Sequence, residues 1–196
     1  MCRFLLAGLF LCSVVPGYSQ LFSFGLKGGV PLADPLISSQ DGSGGTTHQI
    51  HRYVVGATGE VHLPFGVSVE VDALYRRLGY DSNTYIFLTG PVYSHTAGND
   101  WQFPVLAKYA FARRPFVSPF ADAGVTFRRV NFSNGSIASP NSAGITVGGG
   151  ITFKLLFVRL SPEIRYTRFP TEVFGRNYNY IRSTSNQADF LVGFTF

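Results

Sequence analysis

The feature that most constrains this chain is an alternation of apolar and polar residues with period two. It recurs eight times and closes the chain in "QADFLVGFTF", residues 187–196, where Phe190, Val192, Phe194 and Phe196 oppose Asp189, Gly193 and Thr195. Such alternation describes a strand with one oily face, and no segment carries a helical period. The other seven are 22–30, 53–63, 67–76, 101–111, 117–128, 145–154 and 158–167. Each is roughly ten residues long, the length a tilted strand needs to cross a bilayer.

Connections then select the architecture. Short links follow segments two, four and six: "PFG" at 64–66, "ARRP" at 112–115, and a few residues around Leu155 and Leu156. Long polar links follow segments one, three, five and seven: Pro31 to about Ile50, Asp81 to Asp100, Asn131 to Ser142, and Pro170 to Asn186. Regular alternation of short and long puts every long loop at one end of an up-and-down barrel. The pattern predicts an all-β fold, an eight-stranded antiparallel up-and-down transmembrane β-barrel. A secreted soluble barrel of lipocalin type, holding an apolar ligand inside, is the alternative.

The polar face decides which is expected. It is mostly Gly, Ser and Thr with about two charges per strand, and charged residues make up only 14% of the chain. A water-bathed exterior would carry more Lys, Glu and Asp. Aromatic residues also gather at strand ends: Tyr53, Tyr75, Trp101, Phe127 and Tyr166 toward the long loops, Phe22, Phe111, Phe153, Phe194 and Phe196 toward the short turns. Two girdles around an aliphatic middle suit a bilayer. Pro104, Pro119 and Pro162 fall inside segments, where a closed barrel has no free edge for a missing N–H; bulges or a shortened ladder are expected there.

Residues 1–19 read as a cleaved signal peptide: Arg3, then "FLLAGLFLCSVV", then Gly17 and Ser19, leaving 20–196 as the barrel domain. Bulky Leu11 before Cys12 argues against lipidation. Both cysteines lie in this segment, so no disulfide or thiol chemistry is expected in the exported chain. The net charge of +5 comes from scattered Lys and Arg, which excludes a nucleic-acid surface.

"EVDALYRRLGY", "WQFPVLAKYAF" and the terminal "FLVGFTF" make the chain resemble the small eight-stranded outer-membrane barrels of Gram-negative bacteria: the OmpA-like transmembrane domain and the outer membrane protein beta-barrel domain. The resemblance spans nearly the whole mature region. It implies location in the bacterial outer membrane, a monomer, and contact with outer-membrane lipid and lipopolysaccharide. It also implies that Phe190, Val192, Phe194 and Phe196 act as the signal read by the barrel-assembly machinery during insertion, although Gly193 departs from the usual placing of the glycine. No peptidoglycan-binding domain is expected after the barrel, and the family carries no single activity.

On the polar face at mid-height lie Lys27, Glu70, Asp72, Lys108, Asp122, Glu163 and Arg165. Glu70 and Asp72 adjoin Lys108 on the next strand, and Lys108 adjoins Asp122 on the one after. Opposite signs on adjacent strands predict a salt-bridged plug; a small gated pore using the same pairs is the alternative. Outside, Arg77, Arg129 and Arg168 each follow an aromatic (Tyr75, Phe127, Tyr166) by two residues, so all three face outward above the loop-side girdle. Lipid A phosphates would lie at that height, and Arg suits them through paired hydrogen bonds; snorkelling to water is the plainer reading.

Catalysis is not expected. His48, His51, His62 and His95 are followed two positions on by Ile50, Tyr53, Pro64 and Ala97, so the His/Ser pair of barrel-type lipid A deacylases is missing. His48 and His51 alone make no metal site, and "GGG" at 148–150 lacks the helix a phosphate loop needs. Cofactors and metals are expected to be none. The expected role is structural, or surface interaction through four long loops whose partner the sequence does not name.

Overall fold

In a computed structural model the described residues are 21–33, 36–38, 48–49, 53–86, 90–111, 116–132, 141–155, 157–170, 181–183 and 185–196. The expected signal segment and the turn 112–115 lie outside them. Eight long strands form the wall: β1 (Phe22–Ala33), β2 (Val54–His62), β3 (Val67–Ile86), β4 (Gly90–Ala110), β5 (Val117–Phe132), β6 (Asn141–Leu155), β7 (Val158–Arg168) and β8 (Asn186–Thr195). Each pairs antiparallel with the next, and β1 pairs with β8, so the sheet closes. Closure removes the unpaired edges that an open sheet would present.

Polarity is inside out, as the alternation predicts. Phe24, Leu26 and Ile145 point outward at 68%, 65% and 71% exposure, whereas Glu70, Lys108 and Asp189 are only 3%, 7% and 3% exposed. An exterior of this kind has no favourable contact with water and fits acyl chains, while the closed ladder satisfies the backbone inside a bilayer. The members of both aromatic girdles lie on this outward parity. The lipocalin-type alternative is thereby overturned: charged side chains, not an apolar ligand cavity, occupy the centre.

At the β2–β3 turn Leu63 N–H donates to the Val67 carbonyl at 2.8 Å. Phe65 and Gly66 take φ of 64° and 87°, and two consecutive positive-φ residues reverse the chain within three positions. The prolines produce interruptions rather than bulges. The β3–β4 ladder steps from Val71↔Val105 to Leu74↔Gln102 across Pro104, and β6–β7 steps from Gly150↔Glu163 to Phe153↔Leu160 across Pro162, each without a shift in register. Pro119 keeps register with Ile151, and its carbonyl accepts from Phe111 N–H at the end of the β4–β5 ladder. The bulge is elsewhere, between Pro31 and Ala33 on β1.

One expected loop is corrected. Asp81 to Asp100 is mostly a continuation of β3 and β4, paired without interruption from Arg76↔Asp100 to Ile86↔Gly90. Leu36–Ser38 pairs with Ile181–Ser183, and His48–Gln49 with Tyr80 and Asp81, so the first and last long links also contribute short ladders.

Candidate functional site

Inward residues on β3 run Glu70, Asp72, Leu74, Arg76, and this order sets out the lumen in layers. In the lowest of these, Lys27 Nζ on β1 contacts Glu70 Oε1 at 2.5 Å and reaches Asp72 and Glu163 at 3.2 Å each. Arg165 on β7 donates from Nη1 to Asp72 at 2.8 Å, from Nη2 to Glu70 at 2.9 Å and from Nε to Glu163 at 2.5 Å. Two cations are thus shared by three carboxylates from opposite walls. Buried ions lose hydration, and only multiple charge-assisted bonds of this kind compensate for it; the flat guanidinium fork can face three oxygens at once.

Lys108 on β4 extends the belt. Its ammonium lies 3.0 Å from Glu70 and 3.6 Å from Glu60, and 4.0 Å from the centroid of the Phe120 ring. Of the expected neighbours, Lys108 bonds Glu70 but not Asp122. Lys108 and Asp122 are direct cross-strand partners, yet Lys108 turns to Glu70, and neither Asp122 oxygen has a hydrogen-bond partner among the described residues. Gly148 and Gly150 on β6 leave room for this corner. A Cβ at Gly148 would stand 2.6 Å from Asp122 Oδ1, and one at Gly150 would stand 2.8 Å from the Phe120 ring.

Above the belt Val54, Leu74 and Leu191 form an apolar layer, beside a chain of hydroxyls from Thr126 through Thr146 to Thr167 at 2.5 and 3.0 Å. Beyond Leu74 a second polar layer begins. Arg76 reaches Asp189 at 3.4 Å and Asp100 at 3.7 Å; Gln102 donates to Asp100 at 2.8 Å and meets Gln187 at 3.1 Å. The Arg128 guanidinium stacks 3.9 Å from the centre of Phe169, which is 1% exposed. The expected network named none of these residues. Their signal was parity alone: Arg76, Asp100, Gln102, Arg128, Gln187 and Asp189 all occupy inward positions of the alternation.

Outside, Arg77, Arg129 and Arg168 are all exposed. They stand on the alternate strands β3, β5 and β7, and so spread along the wall instead of forming a single cluster. Arg129 lies cross-strand from Trp101 and Asn141, in a groove of about 390 Å³ that Phe103, Phe127 and Ala143 also line. Tyr75 and Trp101 pack beside it with ring centres 5.1 Å apart. On β8 Phe190, Phe194 and Phe196 face outward and Val192 is half-buried, on the strand that closes the barrel against β1.

No protein-family model and no curated protein matches the chain. Solved structures do. The chain is similar to Neisserial surface protein A (NspA), with a TM-score of 0.56 at 14% identity over 89% of this chain and 95% of that one. It is also similar to the outer membrane protein OprG from Pseudomonas aeruginosa, with a TM-score of 0.53 at 13% identity over 90% and 94% of the two chains. Identities this low speak for the fold. With the closed ladder and the apolar exterior, they give this chain the fold of the small eight-stranded outer-membrane β-barrels.

Proposed function

We propose that the protein is a noncatalytic integral barrel of the bacterial outer membrane whose lumen is closed, and that it works through its loop end as a structural or surface-interaction element. The observation that carries this reading is the lock of Lys27 and Arg165 among Glu70, Asp72 and Glu163, which ties β1, β3 and β7 together across the centre. Residence follows from the apolar wall and from the likeness to a protein described as an outer membrane protein. Fractionation tests it: the chain should stay with outer membranes through a salt wash and change gel mobility on heating. Release with the periplasm would overturn it.

The closed lumen is tested by conductance in planar bilayers. Only rare, small openings are expected, and steady conductance in the unaltered protein would favour the gated pore. Lys108 is the diagnostic residue, because neutralising it changes the openings only if the belt is the gate.

The exterior arginines are read as contacts for lipopolysaccharide phosphates, with Arg129 best supported by its groove. A triple Arg77→Ala, Arg129→Ala, Arg168→Ala variant should co-purify with less lipopolysaccharide; an unchanged amount would leave only snorkelling. Phe190, Val192, Phe194 and Phe196 are read as the assembly signal. Phe196→Ala should reduce insertion in cells while leaving spontaneous folding into lipid vesicles unaffected.

A further inference from the structure

Below the charge belt, on the side of the short turns, the lumen widens into a cavity of about 760 Å³. Its wall carries three cations, Lys108, Lys154 and Arg159, and one carboxylate, Glu60. Glu60 is already engaged: it accepts from Ser68 Oγ and lies 3.6 Å from Lys108. Lys154 and Arg159 are left without a carboxylate partner among the described residues, and they are direct cross-strand partners on β6 and β7. Like charges placed opposite each other on one face repel and destabilise a sheet, unless something negative sits between them.

The remaining lining supplies neutral donors. Arg159 Nη1 lies 2.8 Å from His62 Nε2. A guanidinium can only donate, so Nε2 accepts and the ring proton belongs on Nδ1. That Nδ1 is buried, so the ring holds Arg159 in place and does not itself face the open volume. Thr152 and Ser161, 3.0 Å apart, offer hydroxyls on the same wall. Cations in excess and hydroxyls around an open volume are what a small oxyanion requires.

We propose that this vestibule is a binding site for a small soluble oxyanion, a phosphate or carboxylate group, held between Lys154 and Arg159 with the Thr152 and Ser161 hydroxyls beside them. The site faces the lumen and not the lipid, so it is separate from the exterior arginines. It rests on the reading that the belt closes the barrel above it, but not on the membrane assignment.

The test uses the purified, folded barrel and inorganic phosphate, with acetate and chloride at matched ionic strength. Phosphate or acetate should raise the temperature at which gel mobility changes, relative to chloride, and phosphate should show line broadening in phosphorus NMR if it is the preferred group. Arg159→Gln and Lys154→Gln should each abolish the shift. In chloride each should also unfold at a higher temperature than the original protein, because a repulsion has been removed. Ile164→Val, on the outer wall, should retain the full effect. Equal midpoints in all three salts, or an undiminished shift in both cavity variants, would overturn the proposal. Failure in fractionation would instead strike the membrane reading and leave this result standing.

Discussion

Lys27 and Glu163 meet at 3.2 Å although 136 positions separate them and β8 lies between their strands. The contact spans the lumen, so it belongs to the barrel as a closed object and to no single hairpin. Lys27→Met should therefore do more than weaken a pair. It leaves Glu70, Asp72 and Glu163 with Arg165 as their shared cation, and breaking a buried ion pair from one side costs about 3–5 kcal/mol. Urea unfolding in lipid vesicles should register a loss of that order. A loss below about 1 kcal/mol would mean that the belt is solvated and does not lock the walls.

Asp122 predicts the opposite sign. The belt holds three cations, Lys27, Lys108 and Arg165, against five carboxylates, Glu60, Glu70, Asp72, Asp122 and Glu163. Asp122 is the carboxylate without a hydrogen-bond partner. Asp122→Asn keeps the shape and removes a buried charge that no hydrogen bond among the described residues offsets, so stability should rise by about 1 kcal/mol. Asp72→Asn, which loses contacts with both Lys27 and Arg165, should lower it. The same unfolding assay compares the two, and equal signs would refute the account of the belt.

Much of this was legible in the sequence, for a physical reason. A strand shows its two faces through parity, so Glu70, Lys108 and Arg165 could be placed inward and Val105 outward without coordinates. Connection lengths gave the up-and-down order in the same way. Two things were hidden. Partners across a lumen depend on strand tilt and stagger, which parity does not contain, and so the contacts of Lys27 and Arg165 with Glu70 and Asp72 were not foreseen, whereas Lys108 was rightly set beside Glu70 and wrongly paired with Asp122. The upper layer of Arg76, Asp100 and Asp189 was missed because its residues come from three strands at different distances from the turns. The hairpin beyond Arg77 was hidden too. "YDSNTYIFLTGPVYSH" has no steady alternation to read, and its strands extend through backbone pairing carried on from the barrel ladder.

The corner around Gly148 gives a coupled prediction. A methyl at this position would collide with the Asp122 carboxylate at 2.6 Å, with the Ile164 carbonyl at 3.1 Å as the next contact. Gly148→Ala should cost about 1–3 kcal/mol through overpacking. Combining it with Asp122→Ala removes the principal obstacle, and most of the loss should be recovered. A double-mutant cycle on unfolding free energies would show this as strong positive coupling. Additive effects would place the strain in the backbone contact instead.

The exterior supports a prediction about depth. Val105 lies on the outward face of β4 about midway between the girdle residues Trp101 and Phe111 and is 41% exposed, whereas Leu155 lies outward at the turn end of β6 and is 63% exposed. In water the two sites would be nearly equivalent, each an exposed apolar residue on a strand. In a bilayer they differ, because a guanidinium at the midplane costs about 2–4 kcal/mol and one near the interface about 0–1. Val105→Arg should therefore destabilise the barrel strongly in lipid vesicles and Leu155→Arg hardly at all. The inward change Leu106→Arg, one position along β4 from Val105, should be severe for a different reason: Leu106 is 0% exposed and a guanidinium there has no space. Moving from thick to thin bilayers separates these causes. A thinner hydrocarbon layer lets the arginine at position 105 snorkel and should reduce its penalty, while the cost at position 106 should stay constant. If both penalties ignored bilayer thickness, acyl chains could not be what surrounds the wall at Val105.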